Sequence, residues 1–108
     1  MIRYQGDQTY KDRSLRLSYE TISTYCKNIG AETETCDNAK KRYYQFCIVN
    51  DKSKKRIFRG ASRLYLIWAI IYLECLDSDT RLAVSCFDYR ILEYVKIYED
   101  IMNTEADV

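Results

Sequence analysis

Leu64-Tyr65-Leu66-Ile67-Trp68-Ala69-Ile70-Ile71-Tyr72-Leu73 is a run of ten residues with no charge, glycine or proline, and its reading decides the fold. It falls well short of the ~20 apolar residues that span a bilayer. Glu74 and Asp77 close it within one turn. Extended to Ala61–Leu76, it predicts a helix that is apolar nearly all round, and such a helix lies inside a protein core. The other elements are then the partners that cover it.

Working toward the C-terminus, Asp77-Ser78-Asp79 supplies a turn and a cap. A helix is predicted over Thr80–Met102, with Val84, Phe87, Ile91, Tyr94, Val95, Tyr98 and Ile101 on one stripe and Arg81, Asp88, Glu93, Lys96 and Asp100 opposite. Asn103–Val108 reads as a polar tail. Toward the N-terminus, Leu15, Tyr19, Ile22, Cys26 and Ile29 recur at helical spacing, with Asp12 or Ser14 as the cap and Gly30 where a helix-ending glycine belongs. The first ten or so residues read as an arm or an edge strand, and Ala31–Cys36 as a loop. Asp37 can cap a further helix through Ala39, Tyr43, Phe46 and Cys47.

The competing reading is a strand over Arg42–Val49, a turn at Asn50–Ser53 and a second strand from Lys55 to Ala61. Tyr44, Phe46 and Ile48 alternate with Gln45, Cys47 and Val49, so both faces are partly apolar and the period does not decide. The expectation is a helix followed by a hairpin arm. The fold class is mainly α, with three to four helices around Ala61–Leu76. The alternative is α+β, with a short basic β-hairpin near residues 42–60. The size suits one domain over residues 1–108.

Charge is sorted by position. From Lys40 to Arg63 nine bases (Lys40, Lys41, Arg42, Lys52, Lys54, Lys55, Arg56, Arg59, Arg63) face one acid, Asp51, for a net +8. From Glu74 to Val108 nine acids face three bases, for a net −6, and residues 1–39 carry −1. The total of +1 therefore hides a bipolar chain, which bears on partners rather than on fold. Tyr43, Tyr44, Phe46 and Phe58 interleave with the bases, a mixture that fits phosphate contact with base stacking. It also fits a charged face docking on an acidic protein or on the acidic half of a second copy in a homodimer. Lys40, Lys41, Arg42, Tyr43, Tyr44, Lys52, Lys54, Lys55, Arg56, Arg59 and Arg63 are the candidate partner- or nucleic-acid-binding residues.

Histidine is absent, which removes the commonest general base and metal ligand. Five cysteines (Cys26, Cys36, Cys47, Cys75, Cys86) have no CxxC pair among them, so a zinc knuckle is not expected. They read as small buried hydrophobes in a reducing compartment, with a disulfide as the competitor. Asp77 with Asp79, and Glu99 with Asp100, are ordinary caps and solvated faces. Gly6, Gly30 and Gly60 are isolated, so no phosphate loop can be built. No catalytic residue, metal or cofactor is expected. Met1–Asp12 is polar and no stretch spans a membrane, so a cytoplasmic protein is expected.

Ile22–Gln45 (ISTYCKNIGAETETCDNAKKRYYQ) resembles a helix-turn-helix: Cys26 stands four residues before Gly30, Cys36 six after it, and Ala39 where a second helix would pack. The resemblance covers under a quarter of the chain, and Cys36 replaces the usual branched aliphatic. It implies a recognition helix bearing Lys40, Lys41, Arg42 and Tyr43, followed by a basic wing. In composition the chain resembles accessory proteins of viruses, phages and mobile elements. That implies a small non-enzymatic protein docking on a host protein or nucleoprotein complex, for example an inhibitor of a CRISPR effector. The alternative is a nucleic-acid-binding transcriptional regulator.

Overall fold

The computed structural model describes residues 6–53, 56–77 and 88–106, and among them the secondary structure is four α-helices with no strand. The helices are α1 (Gly6–Asn28), α2 (Thr33–Ser53), α3 (Ala61–Asp77) and α4 (Tyr89–Ala106). As the apolar run demands, α3 is central. It packs on all three other helices, and α1 and α4 flank the α2–α3 pair without packing on each other. Leu66, Ile67, Ala69, Ile70 and Ile71 are all solvent-free, which an element covered from one side could not achieve. Ile22 and Cys26 of α1, Ala39, Tyr43 and Phe46 of α2, and Tyr98 and Ile101 of α4 complete the core. None of the described helices is long and apolar enough to cross a membrane.

The corner between α1 and α2 follows from Gly30, whose φ of 74° L-residues with a side chain rarely adopt. Ala31 N–H donates to the Cys26 carbonyl and Gly30 N–H to the Lys27 carbonyl, at 2.9 and 3.2 Å. Together these bonds form the Schellman closure that ends a helix on a left-handed residue. Asp88 caps α4: its Oδ1 accepts from the Arg90 N–H at 3.1 Å and its carbonyl from the Ile91 N–H.

Several expectations are corrected. The hairpin near residues 42–60 does not form. α2 runs on through residues 42–53, because Ala39, Tyr43 and Phe46 recur at helical spacing and all three are buried. Residues 56–59 carry no strand. The loop over Ala31–Cys36 shrinks because α2 begins at Thr33, so Asp37 lies inside the helix and is no cap. The arm of the first ten residues is helical from Gly6 onward, and Met1–Gln5 lie outside the described residues. Of the helix expected over Thr80–Met102, α4 covers Tyr89 onward with Asp88 as its cap and continues through Asn103 to Ala106, and residues 80–87 lie outside the described residues. Val84, Phe87, Cys86 and the turn residues Ser78 and Asp79 lie outside the described residues.

Candidate functional site

The basic segment is contiguous in sequence but split in space. Lys40 and Lys52 are twelve residues apart on α2, about 18 Å at 1.5 Å per residue. Lys41, Tyr44 and Lys52 are exposed, Lys40 is half-buried, and Lys54 and Lys55 lie outside the described residues. Two expected site residues face the interior instead. Tyr43 belongs to the core. Arg42 is tied to the anionic half of the chain: its Nε donates to Glu74 Oε2 at 3.1 Å, and its Nη2 donates to Asp77 Oδ2. Burial works against the Arg42 charge, and neighbouring Tyr98, Asp77 and Glu74 outweigh it, holding the guanidinium above its ordinary basicity. The residues expected on a recognition helix thus divide between a core ring, an internal ion pair and a solvated face.

What the fold does gather is an arginine–aromatic face around the start of α3. Residues 56–60 lead from α2 into α3, and Gly60 makes the last bend with φ 55°. Ser62 Oγ accepts from the Arg59 N–H at 3.0 Å and donates to its carbonyl at 2.8 Å, which pins the entry of the chain into the helix. Asn50 Nδ2 donates to the Arg56 carbonyl at 2.9 Å, holding the connection against α2. From this connection the Arg56 guanidinium lies over two rings, 5.4 Å from the centroid of Phe58 and 5.7 Å from that of Tyr94. Tyr94 stacks on Tyr65 at 5.5 Å. Beyond them Arg90 lies 6.0 Å from the Tyr65 ring and 5.8 Å from the Tyr89 ring. The order Arg56, Tyr94, Tyr65, Arg90 forms a ladder with a cation at each end, and both arginines and Tyr89 are exposed.

A guanidinium held over a ring keeps N–H donors with which to grip a carboxylate or phosphate. Arg90 spends one donor on Tyr65 Oη at 3.2 Å, and the hydroxyls of Tyr89 and Tyr65 raise its basicity further. Among the described residues the ion pairs are the two made by Arg42. Arg56, Arg59, Arg63 and Arg90 therefore carry their charge without a described carboxylate partner.

Beside the ladder lies a cleft of about 570 Å3. Among the described residues, Phe46, Ile57, Phe58 and Leu66 give it apolar lining, Ser14 and Asn50 add polar groups, and Arg56, Arg59 and Arg63 give it charge, with Asp51 as the one acid. A buried polar chain forms part of its wall. Arg63 Nη1 donates to Ser18 Oγ at 2.8 Å, and Ser18 Oγ is 3.0 Å from the Tyr43 hydroxyl. Ser18 accepts from Arg63 and is placed to donate to Tyr43, so its buried hydroxyl is satisfied on both sides. Burial pushes Tyr43 up to about 12 and Cys47 to about 11.

Burial likewise pushes Cys26 up to about 12 and Cys75 to about 11. At neutral pH these thiols are protonated and are poor nucleophiles. The thiols of Cys26, Cys36 and Cys47 are free. No cluster of three or more cysteines and acids among the described residues is placed to hold a metal.

Sequence reasoning found Arg56, Phe58, Arg59 and Arg63 through their local charge. It missed Tyr65, Tyr94 and Arg90, which come from the core run and from the anionic half. Nothing in their spacing relative to residue 56 signals the stack. Comparison with protein-family models, with curated proteins and with solved structures finds no match to this chain.

Proposed function

We propose that this is a non-enzymatic cytoplasmic protein that docks on a protein or nucleoprotein partner through the arginine–aromatic face, and acts by covering an anionic surface of that partner. The observation that carries the reading is the ladder itself: Arg56 and Arg90 are held over Phe58, Tyr94, Tyr65 and Tyr89. Arginine and tyrosine are the residues that anchor interfaces. The ring contacts restrict each guanidinium before docking, so less side-chain entropy is lost on binding. Protonated thiols at Cys26, Cys47 and Cys75 support a contact role over nucleophilic chemistry. An inhibitor that occludes a nucleic-acid-handling machine, such as a CRISPR effector, is the concrete form of this reading.

The test compares tagged chain with the Arg56→Glu/Arg90→Glu pair, both folded by circular dichroism, in capture from the source cell. Wild type should retain a stoichiometric partner, and the double variant should lose it. Equal capture by both, or no stoichiometric partner for either, refutes the reading. A parallel gel shift at low salt separates the regulator alternative, which requires the chain alone to bind nucleic acid with affinity falling steeply as salt rises.

A further inference from the structure

The cleft beside the ladder shares Arg56 with the docking face and adds Arg59 and Arg63, which the docking reading does not use. Among the described residues, three guanidinium groups, from Arg56, Arg59 and Arg63, line it with one carboxylate, from Asp51, an excess of two positive charges. Arg63 is half-buried, and its described hydrogen-bond partner is the neutral hydroxyl of Ser18, so its charge is fixed in place and not cancelled. The rest of the described lining is mixed: Ile57 and Phe58 are its accessible apolar side chains, beside the polar Ser14 and Asn50.

An acidic peptide spreads its charges along a chain at about 3.3–3.6 Å per residue, and brings one carboxylate at a time to one spot. A phosphomonoester carries about −1.5 to −2 on a single group with three terminal oxygens, which suits several arginine forks at once. Ile57 and Phe58, the apolar lining residues that keep exposure, ask for a ring or other flat apolar body attached to that group. The volume of about 570 Å3 sits within the range of about 300–1,000 Å3 usual for small-ligand sites.

We propose that the cleft binds a phosphomonoester carried on a planar ring, that is, a nucleoside 5′-phosphate, either free or as the 5′ end of a nucleic-acid strand. Arg56 and Arg59 grip the phosphate from the connection into α3. Arg63, oriented by Ser18, meets it from the helix, and the ring lies against Ile57 and Phe58. This goes beyond the docking reading and does not depend on it.

The experiment is isothermal titration of the full chain at pH 7.5 with adenosine 5′-monophosphate, adenosine, inorganic phosphate, and a short DNA oligonucleotide with a 5′-phosphate or a 5′-hydroxyl. Adenosine 5′-monophosphate or the phosphorylated oligonucleotide should bind at least tenfold tighter than adenosine, inorganic phosphate or the 5′-hydroxyl strand. The stronger of the two identifies the source as free nucleotide or strand end. Arg59→Ala, at an exposed position, should weaken binding by about tenfold to a hundredfold, as expected for the loss of one charged hydrogen-bonding group. It keeps the test open if Arg63→Ala fails to fold. Binding should also weaken from pH 7.5 to pH 5, as the phosphate takes up its second proton near pH 6. Inorganic phosphate or the 5′-hydroxyl strand binding as well as its partner probe overturns the proposal, as does no binding by either nucleotide probe. An acidic peptide that binds the cleft more tightly than both overturns it in favour of a protein ligand. Arg90 does not line the cleft, so Arg90→Glu should leave nucleotide binding unchanged while it abolishes partner capture. The two readings therefore fail separately.

Discussion

Replacing Arg42 by Met separates a fold residue from a surface residue. Arg42 joins α2 to the end of α3 through Glu74 and Asp77. Both acids sit at the C-terminal end of α3, where the helix dipole disfavours negative charge and a cation is welcome. Removing one member of a fully buried ion pair costs about 3–5 kcal/mol, and an exposed pair is worth about 0.2–1 kcal/mol. The Arg42 side chain keeps 25% of its exposure and that of Glu74 10%, so the Glu74 bond lies nearer the buried limit. Asp77, at 62%, lies near the exposed one. The expected loss for Arg42→Met is about 2 kcal/mol, most of it from a carboxylate left without its partner. Arg42→Met/Glu74→Leu removes that stranded charge and should recover more than half of the loss. Urea unfolding followed by circular dichroism reads this directly. A loss of 2 kcal/mol moves the midpoint by about 1–2 M, and a coupling of at least about 1 kcal/mol is expected between the two sites. If Arg42→Met costs under about 0.5 kcal/mol, or if the double variant costs the sum of the singles, the ion pair has no structural role and Arg42 returns to the surface charges.

Three further outcomes follow from burial and backbone geometry. Ile67→Ala, at a position with no exposure, should cost about 3 kcal/mol in the same assay, and Ile57→Ala, 73% exposed, under about 0.5 kcal/mol; equal losses would displace α3 from the centre. Gly30→Ala should cost about 1 kcal/mol or more because the φ of 74° strains any Cβ, and Gly30→Asn should cost less; a neutral alanine would mean the corner is built differently. Stability should also fall in alkali. Below pH 9 the thiols of Cys26, Cys47 and Cys75 are protonated both folded and unfolded, and above it the unfolded chain ionises first, because burial raises the folded values to about 12, 11 and 11. Each thiol then removes about 1.4 kcal/mol per pH unit as pH climbs from 9 toward its folded value. Urea midpoints under reducing conditions that stay flat from pH 8 to pH 10.5 would contradict this burial.

Local chemistry alone determined much of this protein. The uncharged run Leu64–Leu73 could bury itself on every side only as a central helix, and α3 is that helix. The stripe residues Leu15 to Cys26 lie on α1, those from Ile91 to Ile101 of the stripe expected from Val84 lie on α4, and Gly30 turns the corner, because periodicity and positive φ are properties of neighbouring residues. Residues 42–53 were different. Their pattern allowed either secondary structure, and the choice fell to whether Ala39, Tyr43 and Phe46 could be buried together against the other helices.

The candidate site belongs almost wholly to tertiary structure. A count of charges along the chain cannot distinguish Arg42 from Arg56. One meets a carboxylate 32 residues away, and the other lies over a ring 38 positions on. Arg63 reaches Ser18 across 45 residues, and Tyr65 reaches Tyr94 across 29. Such pairings arise when helices pack, because the interhelical contacts select which charges are neutralised and which remain free for a partner.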